Sequence, residues 1–320
     1  MNKHTKEELK KLKAKDIDYK IHHAEAKVLD FYHKVDGKVY ISFSGGKDST
    51  VLLHLIRNIL PDVEAVFCDT GLEFPEIRQF VKKFDNVRWL KPEMNFREVI
   101  KKYGYPVVSK EVADTIYYAK KNPDGFRYKQ KLSGELKGSS KYDQSKWAFL
   151  LDAPFELNAK CCNIFKKQPF KKYEKETGNN AYIGTIVEES MLRERAWMMN
   201  GCNNVKDGKG KSAPLSIWTE NDIWEYIKRF NLEVAAPYHM GYERTGCVFC
   251  AFGAHLESYP NRFQILQKTH PQLHEYLLRK YDANGLGMRE PLEYLGIPYN
   301  DPQTNIFEMF EILDKEQEDE

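Results

Sequence analysis

The sequence predicts an α/β fold with a doubly wound parallel sheet, followed by a helical, cysteine-rich C-terminal part. A β-branched run at 39–43 passes through a glycine-rich turn into apolar residues at helical spacing up to residue 59. Further predicted strands, at 63–68 and 87–90, alternate with a predicted helix at 76–84. Because parallel strands need a crossover connection, strands and helices that alternate at this spacing favour a parallel sheet.

The chain of 320 residues is expected to have three parts. Residues 1–36 form a helical segment that begins with a capping box between Thr5 and Glu8, and we expect it to pack on the sheet or on a second copy in a homodimer. Residues 37–230 form the α/β domain. Residues 231–320 form the helical part, with an acidic tail.

The later elements follow from the same spacing and capping rules. Thr219 with Asp222 predicts the start of one helix, and one continuous helix is expected from Lys160 to near Gly178. A short strand is predicted at 181–185. The remaining predicted helices are 96–103, 111–121, one that opens at Glu188-Glu189-Ser190 and continues through Arg193 and Arg195, 261–268 and 270–281.

The turn after the first predicted strand, SGGKDS at 44–49, has the chemistry of a phosphate site. Paired glycines let backbone N–H groups face an anion, and the helix N-terminus adds partial positive charge. The Walker pattern places four residues between its first glycine and Gly-Lys, so the spacing here disfavours a Walker kinase. The turn resembles the PP-loop of the ATP pyrophosphatase superfamily, whose members hold pyrophosphate there while ATP is cleaved between its α and β phosphates.

A second polar turn, Asp69-Thr70-Gly71, follows the second predicted strand. Open α/β sheets bind ligands outside the carboxyl ends of their strands, where both turns are expected to lie. The predicted nucleotide-binding residues come from these two turns: Ser44, Gly45, Gly46, Lys47, Asp48, Ser49, Thr70 and Gly71.

Charge is distributed unevenly around a formal net charge of +2. From Lys120 to Lys172 there are 13 Lys and Arg against 5 Asp and Glu, and residues 122–146 form a basic excursion from the domain. Such a segment suits a polyanionic acceptor, tRNA or DNA, although a solvated lysine-rich face is the alternative. The chain has neither a signal-like apolar core near its N-terminus nor a long apolar run. We therefore expect it in the cytoplasm and away from membranes.

Four of the six cysteines are paired in the sequence. Cys161 and Cys162 are adjacent, and Cys247 and Cys250 form a C-x-x-C pair. In a reducing compartment four thiolates predict a soft metal centre, either iron-sulfur or zinc, and free thiols are the remaining alternative. Of the other two, Cys68 is expected in the core, and Cys202, in a predicted polar loop, is a candidate sulfur carrier.

These landmarks, in this order, resemble the phosphoadenosine phosphosulfate reductase family of PP-loop proteins over roughly residues 37–275. The resemblance implies an adenine nucleotide held across the carboxyl ends of the strands. The paired cysteines look like the cluster motif of assimilatory adenylyl-sulfate reductases, which implies a four-iron four-sulfur cluster, with zinc as the lesser alternative. The matching residues are 44–49, 69–71, 74–75, 104–110, Gly184, Glu189, Ser190, Arg193, 214–224 and the paired cysteines.

Two departures from the family pattern guide the functional prediction. Family reductases carry a catalytic cysteine in a Glu-Cys-Gly-like motif near the C-terminus, whereas residues 251–320 contain no cysteine. Their phosphate loop usually lacks the full SGGKDS, which this chain keeps and which points to ATP. ATP-using relatives attack the α phosphate with a substrate oxygen, after which sulfur displaces AMP.

In that scheme, the candidates for holding Mg²⁺ are Asp48 and Asp69, and Lys47 or Arg193 stabilises charge on phosphate. The predicted function is thus ATP-dependent activation of an acceptor for sulfur transfer. One alternative is a reductase of adenylyl sulfate, or of its phosphorylated form, that draws on an electron or sulfur donor protein for its thiol. A second is a nucleic-acid-binding, cluster-dependent regulator.

Overall fold

A computed structural model describes residues 3–125, 128–135, 142–157 and 159–302. The chain forms two compact units. The first comprises Met1–Pro92, Phe165–His239 and Glu243–Thr245, and the second comprises Glu93–Ile164, Met240–Tyr242 and Gly246–Glu320. The boundaries expected at residues 36 and 230 stay a prediction. In the described part of the chain no helix is long and apolar enough to cross a membrane.

The strands of the described residues, in chain order, are β1 (Val39–Ser42), β2 (Ala65–Cys68), β3 (Val87–Leu90), β4 (Val107–Val108), β5 (Asn180–Ile183), β6 (Asn203–Lys206), β7 (Lys209–Ser212) and β8 (Ala251–Phe252). The α-helices of the same residues are α1 (Lys6–Lys13), α2 (Ile17–Lys34), α3 (Lys47–Ile59), α4 (Pro75–Val81), α5 (Phe96–Tyr103), α6 (Lys110–Lys121), α7 (Gln168–Thr177), α8 (Met191–Asn200), α9 (Glu220–Arg229), α10 (Arg262–Thr269), α11 (Pro271–Leu278) and α12 (Arg289–Tyr294).

A six-stranded sheet forms the centre of the first unit, in the order β3-β2-β1-β5-β7-β6. Its pairs are parallel except for the antiparallel hairpin of β6 and β7. The chain proceeds outward from β1 to β2 and β3, then returns to place β5 on the other side of β1, as a doubly wound sheet does. The predicted fold class is confirmed.

Apolar packing fixes β1 and α3, the two elements on either side of the glycine-rich turn. Tyr40 of β1 contacts Val66, Tyr173 and Ala181 in a buried cluster. The rings of Tyr40 and Tyr173 meet edge to face with centroids 5.0 Å apart, and the Tyr40 hydroxyl donates to Glu174 at 2.9 Å. The core-facing residues of α3 are almost wholly inaccessible: Val51, Leu52, Leu55 and Ile56. Both ends of the turn are therefore held by well-packed elements.

The helix expected from Lys160 to residue 178 is wrong as one continuous α-helix. A π-helical segment, Asn163–Lys167, precedes α7, and Gly178 in the left-handed region ends α7. Pro169 lacks an N–H, so it cannot bond the carbonyl four residues earlier. That carbonyl, on Phe165, instead accepts from the Cys68 thiol at 3.1 Å.

The hairpin of β6 and β7 was not predicted from the sequence. Asp207 and Gly208 link its strands with φ angles of 52° and 69°. Two positive φ values suit the tight turn that Asp-Gly favours between antiparallel strands. The flanking residues are mostly lysine and asparagine, so the apolar alternation that would indicate strands is missing.

A short parallel pair, β4 with β8, lies in the second unit and joins Val107 to Ala251. Gly104 precedes β4 with φ of 92°, and a Cβ there would lie 2.1 Å from the Glu156 carbonyl oxygen. A side chain at position 104 is therefore excluded by the backbone. Because β8 begins directly after Cys250, this pairing also anchors the C-x-x-C segment within the unit.

Candidate functional site

The turn at 44–49 follows β1 at the point where the strand order reverses, between β1 and β5. Ligands of open α/β sheets bind at such a switch point. The turn after β5 approaches it closely: a Cβ on Gly184 would lie 3.0 Å from the carbonyl oxygen of Asp48. The turns after both strands thus meet at this edge of the sheet.

Hydroxyl groups inside the turn hold its shape. The hydroxyls of Ser44 and Ser49 lie 3.0 Å apart, and that of Ser49 donates to the Gly46 carbonyl at 2.8 Å. Gly45 has φ of 72°, and a Cβ there would lie 2.9 Å from Ile77, so the position needs glycine. Gly46 is the N-cap of α3 and offers no side-chain cap, which leaves capping of this helix to other groups.

Lys47 is buried and surrounded by charged and aromatic groups. Its Nζ lies 3.1 Å from Glu220 Oε1 and 3.7 Å from Asp48 Oδ2. The ammonium also lies 5.6 Å from the ring centroid of Tyr238 and 6.0 Å from that of Trp224. Its backbone N–H donates to the Tyr238 hydroxyl at 2.9 Å. The sequence predicted Lys47 but neither Glu220 nor Tyr238, which lie far along the chain.

Asp48 and Arg193 interact electrostatically beside this lysine. Burial raises the pKa of the Asp48 carboxyl, Glu220 raises it further, and Lys47 and Arg193 act against the rise. Burial likewise lowers the pKa of the Arg193 guanidinium, with a further decrease from Arg244. Arg193 lies on α8, one turn after its ion-pair partner Glu189. Two of the predicted catalytic residues are thereby brought together.

Asp69, at the end of β2, is buried and accepts a hydrogen bond from Arg78 at 2.8 Å. Thr70 donates through its backbone and its hydroxyl to the two carboxylate oxygens of Glu73, at 3.0 and 2.6 Å. Gly71 has φ of 72° and open space where a Cβ would lie. This second turn is therefore preformed, and Arg78 balances the charge of Asp69.

The paired cysteines all lie in the second unit. A hydrogen bond with Cys162, then burial, and then the charges of Cys162, Cys250 and Cys247 raise the pKa of the Cys161 thiol. The four sulfurs therefore lie within electrostatic reach of one another. The Cys250 N–H donates to the Cys247 carbonyl at 3.1 Å, and Arg262 donates to the Cys250 carbonyl at 2.8 Å.

The chemistry of this donor set suits a soft metal centre, because thiolates bind iron-sulfur clusters and zinc. Within residues 3–125, 128–135, 142–157 and 159–302, no three or more His, Cys, Asp or Glu side chains stand in a metal-holding arrangement. Cys161 and Cys162 share a hydrogen bond, and the charges of Cys247 and Cys250 act on Cys161, so among the described residues the donor set is grouped electrostatically without forming a metal-holding arrangement.

The other two cysteines are buried. Burial, with Glu73 and Asp69, raises the pKa of Cys68 to about 12, and this residue lies in the core as expected. Cys202 does not lie in an exposed polar loop, because it packs directly before β6 with only 6% of its surface exposed. Burial raises the pKa of its thiol, and the Ser216 hydroxyl donates to its sulfur at 3.1 Å. Neither is an accessible thiolate.

The basic excursion is described in part, and Lys137 and Lys141 lie outside the described residues. Lys131 pairs with Glu111 at 2.6 Å. Beside the excursion, the ammonium of Lys160 lies 4.5 Å from the Tyr103 ring centroid and 5.0 Å from that of Tyr117. The Lys121 ammonium lies 4.3 Å from the Tyr117 centroid. Ammonium groups and aromatic rings thus alternate next to Cys161.

Comparison with known proteins assigns the family. The model of the phosphoadenosine phosphosulfate reductase domain matches residues 38–109 and 110–252. An adenosine 5'-phosphosulfate reductase from Geobacillus sp. is 31% identical over 211 residues, which cover 65% of this chain and 70% of that protein. A second, from Staphylococcus haemolyticus, is 27% identical over 255 residues, which cover 77% and 85%.

Two uncharacterized proteins of Methanocaldococcus jannaschii are each 25% identical to this chain. The matches cover 76% and 68% of this chain but 48% and 37% of those proteins, so the chain spans less than half of their length. The crystal structure of phosphoadenylyl-sulfate reductase from Candida auris, a phosphate complex, aligns with a TM-score of 0.43 and 17% identity over 76% of this chain and 95% of that chain. Because the family model matches about two thirds of the sequence, the chain belongs to the phosphoadenosine phosphosulfate reductase family.

Proposed function

We propose that this chain is an ATP-cleaving member of the family that activates an acceptor for sulfur transfer. An acceptor oxygen attacks the α phosphorus of ATP, the bond between the α phosphorus and the bridging oxygen breaks, and pyrophosphate leaves. A nucleophilic sulfide or thiolate from a sulfur donor then attacks the activated carbon of the acceptor, the bond from that carbon to the oxygen of the adenylate breaks, and AMP leaves. The observation that carries the proposal is the complete SGGKDS turn at the switch point of the sheet, with the buried ammonium of Lys47 beside it.

Each predicted site residue has a role in this reaction. The backbone of Gly45 and Gly46 and the hydroxyls of Ser44 and Ser49 would hold pyrophosphate, and Thr70 and Gly71 would border the nucleotide. The two cations near the turn, Lys47 and Arg193, would stabilise the charge that develops on phosphate. The carboxylates of Asp48 and Asp69 suit Mg²⁺, which prefers oxygen ligands and substrate phosphates.

Cys68 and Cys202 are the two cysteines outside the tandem and C-x-x-C motifs, and their surroundings favour this reaction over sulfonucleotide reduction. A reductase needs a nucleophilic thiolate, and Cys68 and Cys202 are buried with raised pKa values. A reductase built on this chain would thus depend on the thiol of another protein, which keeps that reaction as the second candidate.

The cysteine set would hold a four-iron four-sulfur cluster through Cys161, Cys162, Cys247 and Cys250, with zinc as the alternative. When bound, an iron-sulfur cluster supplies a site for electrons or for exogenous sulfur. The chain's own contribution is a set of buried or partly buried thiols, with the C-x-x-C turn held by a hydrogen bond from Arg262 to the Cys250 carbonyl.

The acceptor proposed here is a nucleic acid, tRNA or DNA. Single-stranded nucleic acids bind where lysines contact phosphates and aromatic side chains stack on bases. Lys121, Tyr117, Lys160 and Tyr103 alternate in space and provide both kinds of group, and Lys160 directly precedes Cys161.

The test of the reaction is ATP turnover by anaerobically purified protein with Mg²⁺ and candidate tRNA, DNA or small-molecule acceptors. We expect AMP and pyrophosphate in equal amounts. Lys47→Ala should abolish both products and shift the thermal midpoint by only a few degrees, because the residue serves phosphate rather than the core. Lys228→Ala, on exposed α9 surface, is the matched control and should retain turnover. Tighter binding of adenylyl sulfate than of ATP, without pyrophosphate release, would support the reductase instead.

A further inference from the structure

Two side chains of the protein itself, those of Tyr238 and Glu220, contact the backbone N–H and the ammonium of Lys47. The hydroxyl oxygen of Tyr238 accepts from the backbone N–H of Lys47 at 2.9 Å. A carboxylate oxygen of Glu220 lies 3.1 Å from the ammonium of the same residue. All three residues belong to the first unit. The turn therefore already has an oxygen at its first helical N–H and a negative charge at its lysine.

The Tyr238 hydroxyl is held at this point by its neighbours. It lies 3.2 Å from the hydroxyl of Thr245, and its ring meets that of Trp224 edge to face with centroids 5.8 Å apart. A Cβ added to Gly46 would lie 3.0 Å from the Thr245 hydroxyl and 3.2 Å from that of Tyr238. Burial raises the pKa of Tyr238, so the group near the turn is a neutral hydroxyl.

These contacts are of the two kinds that a bound phosphate makes with a loop of this type. A phosphate oxygen accepts from a backbone N–H at the helix N-terminus, and its charge pairs with the lysine. Each backbone N–H is a single donor, so a phosphate oxygen and the Tyr238 hydroxyl compete for that of Lys47. Glu220 competes in the same way for the ammonium.

We propose that Tyr238 and Glu220 are positioning residues that contact the same Lys47 donors as a phosphate would and must be displaced when pyrophosphate or the phosphates of ATP bind. The inference rests on the proposed function, because it assumes that the turn binds pyrophosphate. The two side chains provide an oxygen to the backbone N–H of Lys47 and a carboxylate to its ammonium until an anion takes their place. Because an anion must break these two contacts before it can bind, the contacts lower the affinity of the turn for anions.

The test is calorimetric titration of the full chain with inorganic pyrophosphate. Tyr238→Phe keeps the ring and removes the competing oxygen, so pyrophosphate should bind about two- to tenfold more tightly. Glu220→Gln removes the competing charge and should also lower the Kd. Thr245→Val leaves Tyr238 in place without its hydroxyl partner and should move the Kd in the same direction, which provides a second measurement if Tyr238→Phe folds poorly.

Matched control residues come from α9, the helix that contains Glu220. The Tyr226 hydroxyl contacts His54 at 2.9 Å, and Glu225 is exposed on α9, so Tyr226→Phe and Glu225→Gln should leave the Kd unchanged. Unchanged or weaker binding by Tyr238→Phe and Glu220→Gln, with measurable wild-type binding, overturns the inference and leaves the proposed function intact. If the wild-type chain binds neither pyrophosphate nor ATP, both are overturned.

Discussion

Cys161 and Cys202 differ in their neighbours although both are buried. Cys161 interacts with three other thiols, whereas the sulfur of Cys202 accepts from a serine hydroxyl. Thiols bind metals only after they lose their protons, and four adjacent thiolates repel one another unless a cation lies between them. The surroundings of Cys161 therefore suit a metal ligand, and those of Cys202 suit a core residue.

A pair of alanine variants tests this distinction. Anaerobically prepared protein should be brown and contain about four irons per chain. Cys161→Ala should lose most of the iron and the visible absorbance, because it removes one of four ligands. Cys202→Ala should keep both, since its sulfur lies outside the set. Iron analysis and absorbance spectra measure the outcome, and stoichiometric zinc without iron would contradict the cluster.

At the level of elements, two ion pairs of very different burial join α2 and α9. The Nζ of Lys20 lies 2.5 Å from Asp222 Oδ2, and the lysine side chain is 2% exposed. Asp222 also accepts from the backbone N–H and the hydroxyl of Thr219, so it completes the capping box of α9. The other pair, Arg229 with Asp18 at 2.6 Å, is exposed on both sides.

Neutralising one carboxylate of each pair gives a matched comparison. Asp222→Asn should lower the free energy of unfolding by about 3–5 kcal/mol, because it leaves the buried charge of Lys20 uncompensated. Asp18→Asn joins the same two helices and should lower it by less than about 1 kcal/mol. Urea unfolding at one pH measures both values. Equal effects of the two variants would mean that burial does not govern the contribution of these pairs.

The elements with strong local signals were the ones that the sequence predicted well. The bounds of α5 and β3 agree with the predicted 96–103 and 87–90, because the first has an Asn95 capping box and the second contains the strand-favouring residues Val87 and Trp89. The hairpin at Asp207 and Gly208 was missed although its turn residues were visible, since its strands are polar. Site residues contributed from a distance were not predictable: Tyr238 lies 191 residues from its partner and belongs to no motif.

At the scale of the whole molecule, the lysines differ in their neighbours, and the small net charge does not show this difference. Within the described residues, Lys131 and Lys120 lie near Glu111 and Glu156, which reduce their contribution to a positive field. Lys121 and Lys160 rest on tyrosine rings. A contact with an aromatic face positions an ammonium without neutralising its charge. The positive potential expected at the acceptor surface therefore depends on individual contacts as well as on composition.

Salt dependence of nucleic acid binding tests this surface. Each lysine that contacts phosphate contributes about one to the slope of log K against log salt, so Lys121→Ala with Lys160→Ala should flatten the slope by about two. Neutralising Lys129, Lys131, Lys137 and Lys141 together should flatten it further. A double variant of Lys206 and Lys209, exposed on the β6–β7 hairpin, is the control and should leave it unchanged. If binding is undetectable at low salt, or unaffected by these changes, the acceptor is a small sulfur-containing metabolite.

The central pairing of the sheet, β1 with β5, has a consequence for synthesis of the chain. Val39 pairs with Asn180, so about 140 further residues must be added before the two strands can meet. At translation rates of about 5–20 residues per second, that interval lasts roughly 7–28 s. Throughout it, β1 has an unpaired edge formed by Val39, Tyr40 and Ile41, all buried in the finished protein. During elongation, β1 therefore has one unpaired edge that can pair with other chains, and we expect the yield to depend on chaperones that cover this edge.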